Sequence, residues 1–313
     1  MTNKDISKLI NEEGVFAAIA VDQRGALQRL LGEEGTAENV SLFKKLVSET
    51  LSPIGSSILL DPEFGEEGIK AKDSNAGLIL AYEQTGYDKS QIGRLPRLVE
   101  NLSVKKLKDM GADGIKLLIY YDVDEPAEIN DKKKEFVEQV GKETVEESIP
   151  LLLEILTYDE EIGDEKGEGF AKVRPHKVIE AMKVFSEPRF NVDVLKIETP
   201  LNMNFVEGFT DKPVHSKEEA AEFFKEQDNA TNLPYIFLSG GLTSQQFIDT
   251  LQFAKDSGSR FNGVLCGRAT WQGGTAELKD NGEEKAREWL KTEGMKNLEA
   301  LNKVIKTTAT PVR

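Results

Sequence analysis

Three charged residues interrupt runs that are otherwise apolar: Lys116 in "GIKLLIYYD", Glu154 in "LLLEILTYD" and Lys196 in "VDVLKIETP". Side chains alternate across a strand, so each of the three projects to the face opposite its aliphatic neighbours. An ammonium left unpaired in such a place costs several kcal/mol. Each lysine therefore has a partner, or its neutral amine is wanted. One outcome is a buried Lys–Glu–Lys ion triad that only holds a core together. The other is chemistry: a neutral lysine amine attacks a carbonyl, a second ammonium nearby favours the neutral form, and a carboxyl group between the two lysines carries protons as a carbinolamine loses water. Lys196 is then the nucleophile, Lys116 the source of the field and Glu154 the acid/base. That constellation suits imine formation on a ketone.

Polar residues interrupt or end the other runs as well. Asp22, Asp61 and Glu83 follow the first three, where an acidic side chain is often only a helix N-cap or an ion-pair partner. Ser239, Gly240 and Gly241 in "LSGGLTSQQF", and Gly267 and Arg268 in "LCGRATW", precede helical segments. Backbone N–H groups, a hydroxyl and a guanidinium there can meet an anion such as a phosphate. The two histidines, His176 and His215, lie in charged connecting segments and read as surface residues, which disfavours zinc chemistry. Cys266 and Trp271 read as packing residues.

The elements that must position these groups are eight short apolar runs, beginning at Phe16, Ser56, Gly77, Gly114, Ile149, Val192, Leu233 and Gly263. Most lack apolar/polar alternation, as strands covered on both faces do. Helix-like periodicity fills most intervals; Leu95, Leu98, Val99, Leu102 and Leu107 predict one such helix before "GADG". "PEFGEEGIKAKDSNA" leaves room only for a short or irregular helix. No G-x-G-x-x-G follows the first run, and eight βα units favour a closed α/β barrel, the (β/α)₈ TIM barrel, over an open sheet. The fourth, fifth and sixth connections are long and charged and follow strand C-termini, the functional end of such a barrel. No linker divides the chain, so residues 1–313 are expected to form one domain. The tail from Glu283 reads as one or two extra amphipathic C-terminal helices that close the barrel or meet a partner subunit.

With 40 Lys+Arg against 55 Asp+Glu the formal charge is -15, which disfavours nucleic acid and anionic membranes as partners. No window approaches the roughly 18 apolar residues of a membrane span, and the N-terminus lacks the apolar core of a signal peptide. A single cysteine forms no intramolecular disulfide. A cytoplasmic protein is expected.

Several long stretches carry a resemblance: "AVDQRGAL", "SSILLDPEFG", "LAYEQTGYD", "KLLIYYDVD", "FSEPRFNVDVLKIETPLNM", "NFVEGF" and "FNGVLCGRATW". Almost end to end, the chain resembles the class I tagatose 1,6-bisphosphate aldolases of the Gram-positive lactose and galactose pathway. The resemblance implies a metal-free, cofactor-free (β/α)₈ lyase. Its substrate would be the sugar bisphosphate D-tagatose 1,6-bisphosphate, cleaved to glycerone phosphate and D-glyceraldehyde 3-phosphate with loose selectivity among epimers. It further implies that Lys196 forms the Schiff base, that Glu154 is the acid/base, that Lys116 is the second active-site lysine and Asp22 the first-strand aspartate, and that Ser239 and Arg268 contact phosphate. In "LSGGLTS" the chain departs from the family, whose members tend to have alanine and valine at Gly241 and Leu242. Two alternatives stay open, a Schiff-base aldolase for another ketose phosphate such as a sulfosugar phosphate, and a non-catalytic sugar-phosphate sensor. A homo-oligomer, dimer or larger, is expected from the amphipathic tail.

Overall fold

Each apolar run forms a parallel strand: β1 Phe16–Ala20, β2 Ser57–Leu60, β3 Gly77–Ala81, β4 Gly114–Tyr121, β5 Leu151–Thr157, β6 Val194–Ile197, β7 Tyr235–Phe237 and β8 Gly263–Cys266. In this computed structural model, which describes residues 4–87 and 90–312, the strands close in the order β1 to β8, and β8 pairs back onto β1. The helices are α1 Gly25–Leu31, α2 Ala37–Leu51, α3 Glu66–Ala71, α4 Val104–Asp109, α5 Ala127–Glu146, α6 Glu168–Phe185, α7 Lys217–Asn229, α8 Ser244–Asp256, α9 Arg268–Asn281, α10 Glu283–Trp289 and α11 Met295–Thr308. This is the (β/α)₈ barrel that the runs predict.

Two apolar layers follow from strand alternation. Residues such as Ile58, Leu60, Leu117, Leu153 and Ile197 face outward into a core shared with the helices. Phe16, Ala18, Leu59, Ile79, Leu152, Val194, Ile236 and Leu265 face inward and fill the lower barrel. The N-terminal segment plugs that end: Leu9 joins the inward layer, and its carbonyl accepts hydrogen bonds from Ser56 Oγ at 2.8 Å and Ser57 Oγ at 3.1 Å. Gly77 has no side chain for a simple reason, since a Cβ there would lie 2.1 Å from the Lys8 carbonyl oxygen.

One predicted helix is mostly absent. Residues 95–102 are not helical, and α4 is confined to Val104–Asp109. Pro96 is incompatible with the interior of a helix. The segment instead runs back along the end of β3, where Leu98 bridges Glu83 and Val99 N donates to the Tyr82 carbonyl at 3.1 Å. Its apolar residues pack without helical periodicity. The short helix expected between β2 and β3 is present as α3.

The fourth connection is long because α5 is long; only residues 122–126 separate β4 from it. The tail forms α10 and α11 around a π-turn, Leu290–Gly294. Leu298, Leu301 and Ile305 of α11 are buried within the chain. That apolar face is used internally, so the amphipathic tail no longer argues for a partner subunit.

Candidate active site

Inward-facing positions change character toward the C-terminal ends of the strands. Two residues beyond Leu152 and Val194 come Glu154 and Lys196, which are register partners on β5 and β6. Two beyond Ala20 comes Asp22, and two beyond Ala81 comes Glu83. Lys116 on β4, only 1% exposed, reaches into the middle of this group. Its ammonium donates to Asp22 Oδ2 at 2.8 Å and to Glu83 Oε1 at 2.7 Å, and it lies 2.9 Å from Glu154 Oε2. The same Glu154 oxygen lies 2.8 Å from Lys196 Nζ. Neither approach to this oxygen has hydrogen-bond alignment, so Glu154 Oε2 accepts no directed hydrogen bond.

Burial disfavours an ammonium at Lys116, but Asp22, Glu154 and Glu83 outweigh it and hold the group well above the ordinary lysine range. Lys116 is a permanent cation. Burial likewise disfavours the Asp22 carboxylate, and Lys116 and Lys196 overcome that penalty, holding it far below the usual carboxylate range. Glu83 moves the other way: burial pushes its carboxyl up despite Lys116 and Arg24. The expected positive field of Lys116 on Lys196 is therefore largely offset by the carboxylates that enclose it. Glu154 is the carboxylate that touches both lysines.

A cavity of about 540 Å³ opens above these groups, lined by Asp22, Lys116, Glu154 and Lys196 and, after β7 and β8, by Ser239, Gly240, Gly267 and Arg268. The catalytic and anion-binding candidates thus share one site. Gly241 stands just outside the lining. Its φ of +87° is left-handed, and a Cβ there would lie 3.3 Å from Arg268 Nη2, so the loops after β7 and β8 meet at this pair. Thr243 caps α8, its hydroxyl accepting from Gln246 N. A larger cavity of about 860 Å³ lies at the opposite end of the barrel, between the N-terminal segment and loops such as Pro188 and Pro234. No residue lines both, and the larger one holds none of the strand-end charged groups.

Asp61 has the structural role open to it, accepting from Glu63 N at 3.0 Å and Phe64 N at 2.9 Å while pairing with buried Lys44. Glu83 does not cap its own loop. Besides Lys116, it accepts from Leu118 N at 3.0 Å, and Arg24 Nη2 donates to its carbonyl at 2.8 Å. Glu83 and Arg24 belong to the site, and so does Glu198, which lines the cavity and accepts from Thr157 N at 2.8 Å. The usable signal for Glu83 and Glu198 was their spacing, two residues from inward-facing Ala81 and Lys196; Arg24 offered none.

The histidines lie away from this cavity. His176 faces Asp124 at 3.1 Å, and His215 Nε2 lies 3.0 Å from the Ala171 carbonyl oxygen. Lys177 gathers Asp122, Asp124 and Asp159, tying the loops after β4 and β5 to α6. Cys266 is buried, its thiol pushed up to about 12 chiefly by that burial. Trp271 packs edge-on to Phe43, and its Nε1 donates to the Ala20 carbonyl at 2.8 Å.

A closed parallel barrel with paired lysines and a shared carboxylate at its C-terminal end narrows the comparison with known proteins. The model of the DeoC/LacD family aldolases matches residues 16–273. The chain belongs to that family. Among DeoC/LacD relatives, the tagatose 1,6-diphosphate aldolase of Staphylococcus epidermidis is 56% identical over 310 residues, 97% of this chain and 95% of that protein. Tagatose 1,6-diphosphate aldolase 2 of Streptococcus agalactiae is 54% identical over 312 residues, 98% and 96% of the two chains. The fold of this DeoC/LacD member is similar to that of an archaeal fructose 1,6-bisphosphate aldolase, with a TM-score of 0.62 at 16% identity over 98% of this chain and 99% of that one. Among the described residues no helix is long and apolar enough to cross a membrane.

Proposed function

We propose that the chain is a class I aldolase that reversibly cleaves D-tagatose 1,6-bisphosphate to glycerone phosphate and D-glyceraldehyde 3-phosphate. The observation that carries this reading is the Glu154 oxygen 2.8 Å from Lys196 Nζ, in a cavity also lined by Ser239 and Arg268. The relatives' names supply the substrate class.

Lys196 passes a proton to Glu154 and attacks C2 of the ketose. Glu154 returns that proton to the carbinolamine oxygen, carries a second one from the nitrogen to the same oxygen, water leaves, and a protonated imine remains with Glu154 again a carboxylate. Glu154 then takes the proton of the C4 hydroxyl. The C3–C4 electron pair moves toward the iminium nitrogen, the aldehyde separates, and an enamine of glycerone phosphate stays on Lys196. Protonation at C3 and hydrolysis release the second product and restore the amine. Asp22 anchors Lys116 and is placed beside substrate hydroxyls. The Ser239 hydroxyl, Gly240, Gly267 and Arg268 hold the phosphate of the glycerone half, and Arg29, at the cavity rim, receives the other phosphate.

Borohydride reduction in the presence of glycerone phosphate, followed by peptide mapping, tests the reading. A reduced adduct on Lys196 that is absent from Lys196→Ala supports it. Turnover without any adduct would overturn the imine mechanism, and an inert protein that still binds sugar phosphate would be a sensor.

A further inference from the structure

Lys116 has more carboxylate neighbours than an ammonium needs. Asp22, Glu83 and Glu154 all stand within 2.9 Å of its Nζ. Two lysines against three carboxylates leave one negative charge in excess, and an excess of that sign opposes loss of a proton from Lys196. Arg24 cancels it. Its guanidinium is buried beside Glu83, with Nη2 3.5 Å from Glu83 Oε1 and 2.8 Å from the Glu83 carbonyl oxygen, while Nη1 pairs with Glu63.

Glu83 is held in place from three directions. Leu118 N and Lys116 Nζ bind its two carboxylate oxygens, and Arg24 binds its backbone. A side chain fixed in this way cannot follow Lys116 if that lysine moves, so it fixes where the ammonium points. We propose that Glu83 and Arg24 are positioning residues: they hold Lys116 as an ammonium directed at Glu154 and set the charge against which Glu154 and Lys196 exchange a proton. The proposal rests on the imine chemistry described above and adds to it a pair of residues that need not touch the substrate.

The charged groups facing this pair are Asp22 after β1, Asp61 and Glu63 after β2 and Lys116 on β4; Lys44 of α2 stands behind Asp22, and Glu154 on β5 and Lys196 on β6 are coupled to the pair through Lys116 and Asp22. Removing a negative charge from the group favours the neutral amine and the ionised carboxylate, so both limbs of the rate profile move to lower pH. Removing a positive charge moves both limbs the other way. A single charge at this range shifts a titration by about one unit or more.

The experiment is kcat and KM for tagatose 1,6-bisphosphate cleavage from pH 5 to 10, with borohydride trapping on each protein. Glu83→Gln is expected to shift both kcat limbs toward acid, Arg24→Gln to shift them toward base, and Glu83→Asp and Arg24→Lys to restore the wild-type positions at reduced amplitude. If Glu83→Gln does not fold, the two Arg24 variants carry the test. Limbs that stay in place while the adduct still forms on Lys196 would overturn the positioning role alone. No adduct in the wild-type protein would overturn the imine reading and this inference with it.

Discussion

Glu154 and Lys196 are register partners on adjacent parallel strands, and that pairing brings a carboxylate oxygen to 2.8 Å from the amine. The same oxygen is 2.9 Å from Lys116 Nζ, so in the proposed reaction it stands between the amine that gives up a proton and an ammonium held well above the ordinary lysine range. Proton exchange between Glu154 and Lys196 needs no movement of the backbone.

Replacing Glu154 by Gln keeps the shape and removes the proton carrier. The expected loss in kcat is roughly 10²- to 10⁴-fold, the usual contribution of a positioned general acid or base, with a smaller change in KM. Steady-state cleavage kinetics measure both. Full turnover in Glu154→Gln would assign the proton steps to another group.

Lys116→Met leaves Asp22, Glu83 and Glu154 buried without the cation they share. Breaking a buried ion pair on one side costs about 3–5 kcal/mol, and a loss of that size is expected in urea denaturation. A variant as stable as wild type would mean that Arg24 and Lys196 satisfy the three carboxylates by themselves.

At Gly241 the backbone and the neighbour both oppose a side chain. The φ of +87° disfavours any L residue with a Cβ, and that atom would lie 3.3 Å from Arg268 Nη2. Gly241→Ala should raise KM for the bisphosphate while leaving kcat largely intact, since the loop and Arg268 must shift away from each other. Arg268→Lys should raise KM too, because a point charge replaces a two-pronged donor. Unaltered KM in both variants would remove this loop from phosphate binding.

Lys133 is fully buried and donates to Tyr158 Oη at 2.8 Å; burial holds it down to about 8. An unfolded lysine titrates near 10.4, so between about pH 8 and pH 10 the unfolded chain binds more protons than the native one. Stability therefore rises with pH in that window, by up to ~3 kcal/mol from this group. Between pH 8 and pH 10 the denaturation midpoint of wild type should rise relative to that of Lys133→Met; Cys266, its thiol pushed up by burial, pulls the other way equally in both. Equal slopes would contradict the burial argument.

Charge inside an apolar run was an informative sequence signal, because few structures tolerate it; it located Lys116, Glu154 and Lys196 directly. The strands were legible for a related reason, being covered on both faces. Glu83 was not, because a carboxylate at a strand end has two common fates. Asp61 shows one, capping its own loop, and Glu83 shows the other, crossing to the next strand. Only the neighbouring strand distinguishes them, and neighbours are a property of the closed barrel. The segment around Leu95 misled for the opposite reason: leucines packing at the end of β3 mimicked a helical stripe, and Pro96 outweighed them.

The layer formed by Phe16, Leu59, Ile79, Leu152, Val194 and Ile236, with Leu9 plugged beneath it, makes the barrel a blind shaft. Among the described residues this layer closes the lower end, so Lys196 is reached from the mouth. On the proposed imine route, whatever is tethered to Lys196 leaves last, and the water that frees it comes down past the place the aldehyde has vacated. The order of departure then has two sources, the covalent tether and the one-sided access, and both send the aldehyde out first.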